Sequence, residues 1–428
     1  MALLLDLTPV RASAPFRRLL WGIGISNLGT QLTVVAVGLQ VYDITGSSLA
    51  VGTLGICALV PLMVLGLYGG ALVDLHDRRQ VALLSSCALW LVAIALAVQA
   101  WLSVDSVLLL YGLVALQSAG FAVNNPARSA IIPRLIDPGL LPAANVLQTI
   151  IGNVALTVGP VVGAFLVATW GYGEAYTVDA VLFTAGIWAL WRLPRLPPLM
   201  LDRAAPSSRS GLRSVLEGLR YLTTRPNVAM TFVVDLIAMV LAMPRALLPA
   251  VGVLFLGGGA TTTGALTAAF AAGAVMAGLL SGGLVRRRYQ GRLIAVAIAC
   301  FGLSVAGFGL VLVWVGSSAP SRVLVGALLL AAVCLALAGA ADAVSAVFRQ
   351  TILQSATPDG MRGRLQGVFI VVVAGGPRLG DLVMGGGASW LGEGWAALVG
   401  GLACTVLVLV VLARQRRFLA YDSLHPQP

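Results

Sequence analysis

The stretch Gly66-Leu67-Tyr68-Gly69-Gly70-Ala71-Leu72-Val73-Asp74-Leu75-His76-Asp77-Arg78-Arg79 decides how the rest of the chain is read. An apolar run of about 20 residues ends there in a short charged turn, and a second apolar run begins at once. Gly66 and Gly70 are four apart and share one helix face, which lets a neighbouring helix come close. Asp74 breaks the apolar run just before two arginines. Two hydrophobic helices joined by a tight basic hairpin read as two membrane spans linked on the cytoplasmic side.

The stretch recurs further along. Gly52, Gly66, Gly70 and Val73 return 212 positions later as Gly264, Gly278, Gly282 and Val285, followed by Arg286, Arg287 and Arg288, and half of 428 residues is 214. A second pair agrees: Leu147-Gln148 with Gly159-Pro160-Val161-Val162-Gly163 matches Leu365-Gln366 with Gly376-Pro377-Arg378-Leu379-Gly380. Two matches at nearly one offset argue for a parallel internal repeat.

Composition leaves one broad class. Hydrophobic residues make up 59% and charged residues 10%, against roughly 25% charged in a soluble domain. The apolar runs are too long, and do not alternate with period two, for an outer-membrane barrel. The chain has no lysine, which excludes a P-loop, a Schiff base or a Ser-x-x-Lys nucleophile. Its histidines, His76 and His425, lie in a loop and a tail. Cys57, Cys87, Cys300, Cys334 and Cys404 are scattered through apolar runs with no Cys-x-x-Cys pair, and read as buried free thiols. Neither enzymatic chemistry, nor a metal, nor a cofactor is expected. Met1 to Val10 lacks the basic start of a cleaved signal peptide, so the first span serves as its own insertion signal.

Windows of about 20 apolar residues predict twelve spans. Their limits are 17–41, 49–73, 80–101, 106–125, 142–168 and 172–191 in the first half. In the second they are 228–254, 262–285, 292–315, 321–347, 363–388 and 391–413. This divides the chain into a six-helix bundle (1–191), a cytoplasmic central loop (192–227), a second six-helix bundle (228–413) and a cytoplasmic tail (414–428). Within the loop, Leu212 to Leu222 can form an amphipathic helix lying on the inner membrane surface.

Arginine placement sets the orientation. With the N-terminus inside, Arg17, Arg78, Arg79, Arg128, Arg134, the central loop, Arg286 to Arg292, Arg349, Arg362, Arg364 and the tail all fall on the cytoplasmic side. That is about 24 of the 27 basic residues, as the positive-inside rule expects. The formal charge of +11 is thereby explained by topology, and nucleic acid is not an expected partner. The expected partners are a small-molecule substrate, protons and the lipid bilayer, with the chain acting as a monomer.

Twelve spans, a six-plus-six repeat and a long basic central loop resemble the major facilitator superfamily across nearly the whole chain. The family signature Gly-x-Leu-Ala-Asp-Arg-x-Gly-Arg-Arg stands here as Gly70, Leu72, Val73, Asp74, Arg78 and Arg79, with Leu75 and Asp77 departing from it. The resemblance implies that Gly70, Asp74, Arg78 and Arg79 form a conformational latch between the cytoplasmic ends of the two halves. Gly159, Pro160 and Gly163 resemble the span-five motif of superfamily exporters, where the glycines allow close packing and the proline kinks the helix. Gln40-Val41-Tyr42, Asn125-Pro126-Ala127-Arg128-Ser129-Ala130 and Met243-Pro244-Arg245-Ala246 are similar to the enterobactin exporter branch, which implies export of siderophores or other amphiphilic products. The arginine that many proton-coupled drug antiporters carry in span four is missing; Leu116 and Gln117 occupy that vicinity.

Charges inside spans carry the most information, because each costs at least about 2.5–3.5 kcal/mol at the bilayer centre unless paired or wet. Asp235 and Asp342 lie roughly 10 Å from the cytoplasmic ends of their helices, and Arg245, Arg378 and Asp381 roughly 20–25 Å in. Two polar layers in the second half are expected, with Arg378 and Asp381 paired on one face. Asp235, Asp342 and Asp381 are the proton-coupling candidates. Asp235 leads, having no arginine within one turn of sequence. Asn27, Gln31, Gln117, Asn124, Gln148, Asn153, Arg245 and Arg378 are candidates to line a substrate cavity. Asp179 and Glu174, near the outer end of span six, are expected to be solvated. The expected function is secondary active transport by alternating access, with proton-coupled efflux of an amphiphilic small molecule such as a siderophore or drug. An uncoupled facilitator or importer of lipids or nutrients, and a non-transporting scaffold or sensor, fit the same pattern.

Overall fold

The computed structural model describes residues 7–194, 196, 219–280, 288–355 and 359–422, with side chains described except at 67–75, 138, 142, 279–280, 354–371 and 373–374. Among the described residues the chain forms twelve long helices. They are α1 (Ala14–Thr45), α2 (Ser48–Leu75), α3 (Arg78–Trp101), α4 (Val107–Ile131), α5 (Leu141–Thr169) and α6 (Tyr172–Trp191), then α7 (Pro226–Ala242), α8 (Gly259–Leu280), α9 (Gln290–Val315), α10 (Val325–Ser355), α11 (Asp359–Leu391) and α12 (Glu393–Arg414). Every expected span overlaps one of them, although the helix of span seven stops at Ala242 and residues 281–285 of span eight lie outside the described residues. Among the described residues ten spans qualify by length and apolarity alone. Helix α6 is not among these, because Glu174 and Asp179 lower its apolarity, and much of α11 lies outside the side chains described.

Local chemistry sets the helix ends. Asp77 caps α3 by accepting from the Arg79 and Gln80 backbone amides, and Ser106 Oγ accepts from Leu109 N at the start of α4. The Asp77 side chain also accepts from Leu196 N at 3.2 Å. Arg79 donates to Leu190 O (3.2 Å) and Trp191 O (2.6 Å), carbonyls at the C-terminal end of α6, where a cation is favoured. The hairpin quoted at the outset thus clamps the end of span six. The expected surface helix at 212–222 lies mostly outside the described residues.

Two compact units are present, Met1–Gln40 with Cys57–Gly211 and Val41–Ile56 with Leu212–Pro428. In the first unit, α3 packs on α4 and α6; in the second, α9 packs on α10 and α12. The same pairs therefore meet six helices apart. The details repeat as well. A Cβ built at Gly163 on α5 would lie 2.8 Å from Leu32 O of α1, and one at Gly159 would lie 2.5 Å from Gln31 Cβ. The equivalent Gly380 on α11 presses on Met239 O of α7, and a Cβ at Gly376 would lie 3.2 Å from Met239 Cβ. The turns before α6 and α12 are made by Gly171 (φ +105°) and Gly392 (φ +82°), a backbone region open chiefly to glycine. Two residues further on, Gly173 rests on Trp101 of α3 and Gly394 on Val313 of α9.

In the second unit, the 41–56 hairpin lies against α11. A Cβ at Gly52 would collide with the Asp381 carbonyl and one at Gly55 with that of Arg378, while Ser48 Oγ donates to Glu393 at 2.9 Å. Helix α7 stops at Ala242. Met243 is extended, Pro244 supplies no amide, and the chain continues as a 3₁₀ turn (Arg245–Leu247) and a π-helical turn (Val251–Phe255). That break sets the position of Arg245.

Candidate functional site

The second unit holds two sets of charges inside its helices, each built on a buried carboxylate, Asp381 or Asp235. In one, Asp381 of α11 is 5% exposed and forms a two-pronged ion pair with Arg245: Nε to Oδ1 at 3.3 Å, and Nη2 to Oδ2. Arg378, one turn earlier on α11, lies within electrostatic reach of both. Pro377 interrupts the helix next to it. In the other, Arg349 of α10 pairs with Asp235 of α7 and lies 3.7 Å from Asp342, about two turns back along α10. Arg349 and Asp235 are nearly sealed, at 8% and 6% side-chain exposure, while Asp342 is 31% exposed. One guanidinium therefore serves two carboxylates and leaves one negative charge, on the more accessible acid, only distantly compensated. The expected pair of polar layers is present, with different partners. Asp381 pairs with Arg245 rather than with Arg378, because the break after Pro244 turns Arg245 towards it. Asp235 is paired across helices with Arg349, which sequence distance hides. Arg349 is not a loop residue, because α10 runs on to Ser355.

The first unit holds buried polar groups with fewer partners. Asp179 of α6 is 1% exposed, contrary to the solvated position expected of it. Thr33 Oγ1 donates to its Oδ2 at 2.5 Å, and Oδ1 has no hydrogen-bond partner among the described residues. Gly29 of α1 makes the seat, since a Cβ there would collide with Oδ1. Tyr176, one turn earlier, donates to Gln40 Oε1 at 2.8 Å, and Gln40 and Gln99 exchange amide hydrogen bonds. Arg128, expected in a cytoplasmic loop, lies inside α4 and is buried, because α4 runs to Ile131.

Other sequence candidates fare differently. Asn27 and Gln148 line one cavity of about 160 Å³ in the first unit, together with Asn125, Arg128 and Ser129. Asn124 is fully buried and donates to Ala82 O, Ser85 Oγ and Ser86 Oγ, so it ties α4 to α3 rather than facing a cavity. Gln31 packs by its Cβ against Gly159. Gln117 is half-buried on α4, and Asn153 is exposed on α5. Of the latch residues, Arg79 belongs to the clamp on α6, Arg78 Nη1 donates to Ala130 O of α4 at 3.5 Å, and the side chains of Gly70 and Asp74 fall outside those described. No group of three or more metal-binding side chains occurs among the described residues.

Twelve long helices in repeated six-helix order, ten of them long and apolar enough to cross a membrane among the described residues, with ion pairs inside the second unit, define a multi-pass membrane transporter. The chain belongs to the transmembrane secretion effector family, whose profile matches residues 6–426, and so to the major facilitator superfamily. It is 29% identical over 420 residues to the enterobactin exporter EntS of Citrobacter koseri, covering 97% of this chain and 96% of that protein. It is 30% identical, at the same coverage, to the enterobactin exporter EntS of Escherichia coli. Among solved structures it resembles the nucleoside transporter NupG, with a TM-score of 0.72 and 14% identity over 94% of this chain and 99% of that one. It also resembles a bacterial homologue of the iron transporter ferroportin, with a TM-score of 0.66 and 15% identity over 92% and 98%. The chain is thus a small-molecule transporter and not an enzyme.

Proposed function

We propose that this protein exports a siderophore-like amphiphile across the bacterial inner membrane in exchange for protons, as a monomer with both termini in the cytoplasm, by alternating access of two six-helix halves. The observation that carries proton coupling is the Asp235–Arg349–Asp342 group. Two carboxylates on one arginine hold one negative charge more than their cation offsets, and a single proton cancels it. Buried ionisable groups in membrane helices are costly and mark proton or substrate paths. Asp342 is the proton acceptor, being the more accessible and the more distant from Arg349, and Asp235 holds the arginine. Asp381 with Arg245 and Arg378 forms a second, net-positive layer suited to an anionic substrate. Export and the siderophore class are supported by the relatives, which are enterobactin exporters.

Inside-out vesicles loaded with the protein test this. A catecholate siderophore, within a panel of amphiphiles, accumulates when a proton gradient is imposed and stops accumulating when a protonophore collapses it. Flux that only equilibrates the compound across the membrane, indifferent to the gradient and the protonophore, would leave an uncoupled facilitator. No protein-dependent flux of any panel member would leave a scaffold or sensor.

A further inference from the structure

The first unit holds a buried cation with no anion described near it. Arg128 is 6% exposed. Its Nη1 and Nη2 donate to Ser26 Oγ at 3.5 Å and Ser86 Oγ at 3.2 Å, both neutral acceptors. No carboxylate among the described residues lies within 4.0 Å of it, the reach of an ion pair. Its Nε is buried and has no acceptor among the described residues, and the same holds for the Gln148 Nε2. Both residues line the same cavity, with Asn27, Asn125 and Ser129. The neighbouring polar group offers no relief, because Asn124 spends its amide hydrogens on α3. The back of the guanidinium is closed by Gly186 of α6, where a Cβ would lie 3.4 Å from Nη2.

A buried arginine left unpaired is among the costliest arrangements a chain can carry, and buried polar groups of this kind are ordinarily satisfied. Both of these unsatisfied atoms are N–H donors on side chains that line the cavity. The missing partner is therefore an acceptor, and the formal charge makes it an anion. A guanidinium whose Nε–H lacks a partner suits a planar or tetrahedral oxyanion, which it can grip by more than one bond. At about 160 Å³ the cavity is smaller than the roughly 300–1,000 Å³ of a pocket that encloses a drug-sized ligand. It takes one functional group and leaves the rest of the molecule outside.

We propose that the Arg128 cavity is an oxyanion subsite that holds the acidic group of the transported compound. This rests on the export reading for the identity of the ligand, but not for binding itself. Arg128 and Gln148 supply the donors, Asn27 and Asn125 the flanking amides, and Ser26 and Ser86 hold the guanidinium in place.

The test uses the full chain in phosphatidylcholine nanodiscs, with benzoate and its neutral counterpart benzamide as probes in calorimetric titration. Benzoate binds saturably and at least 10-fold more tightly than benzamide. Arg128→Gln lowers benzoate affinity at least 10-fold and abolishes the preference, and Gln148→Leu lowers it several-fold. Equal binding of the two probes, or no benzoate binding, overturns the proposal. So does unchanged benzoate affinity in Arg128→Gln or, should that variant not fold, in Gln148→Leu. A further arm replaces a third of the lipid with phosphatidylglycerol. Undiminished benzoate affinity supports the substrate subsite, whereas competition lost in Arg128→Gln assigns the cavity to a lipid headgroup and overturns it. Vesicles that fail to export while Arg128-dependent binding persists would defeat the export reading alone.

Discussion

At the scale of single residues, the charges inside the spans of the second unit arrange themselves by pairing. Arg349 is the hub of the second unit, held against Asp235 and 3.7 Å from Asp342. Arg349→Leu strands the buried Asp235 and removes the cation beside the partly exposed Asp342, and breaking a buried pair costs about 3–5 kcal/mol; a large fall in thermal midpoint in detergent is expected. In the first unit, Thr33→Val removes the hydroxyl that donates to Asp179 and is expected to cost about 1–3 kcal/mol by the same measurement. The acids at 235, 342 and 381 are legible in the sequence, because a carboxylate inside an apolar window stands out. Their partners are not. Hydropathy ends a span at its first arginine, so Arg128 and Arg349 are assigned to loops, whereas α4 and α10 run on and carry both inside. Asp179 is misplaced for a related reason. Depth along a helix can be counted from sequence, but the seat that Gly29 and Thr33 of α1 make for it belongs to another helix.

At the scale of elements, glycine decides which helices touch. The motif Gly159-Pro160-x-x-Gly163 seats α5 on α1, and Gly376-Pro377-x-x-Gly380 seats α11 on α7. Gly163→Val would drive its side chain into Leu32 and is expected to cost about 1–3 kcal/mol. Gly152→Ala, on the same helix with nothing within 4 Å, is expected to be neutral or to stabilise by up to about 1 kcal/mol. Thermal unfolding of the two variants side by side checks the contrast. The repeat of this motif is readable in the sequence because its spacing is rigid. The opening glycines behave less simply: a Cβ at Gly66 meets no described atom within 4 Å, although the sequence suggests a close contact. Glycine permits close approach, but only the neighbouring helix determines whether it occurs. The break at Pro244 is visible in sequence as a proline. That it turns Arg245 onto Asp381, leaving Arg378 nearby, depends on the 3₁₀ and π turns that follow.

At the scale of the whole molecule, arginine asymmetry predicts that both termini face the cytoplasm. A green fluorescent protein fused after Pro428 should fluoresce and an alkaline phosphatase fused there should be inactive; the reverse pattern would refute the orientation. The twelve spans are legible almost end to end, because spans and connections differ sharply in polarity. The buried charges suggest how such a body can be driven: protonation of Asp342 neutralises the Asp235–Arg349–Asp342 group, and its release restores the charge.

The most direct measurement of that idea separates driven from undriven transport in one variant. In vesicles containing Asp342→Asn, proton-gradient-driven accumulation of the siderophore should fall at least 10-fold, while exchange of labelled for unlabelled siderophore at equal pH continues near the parent rate. Gradient-driven accumulation in Asp342→Asn equal to that of the parent protein would contradict it.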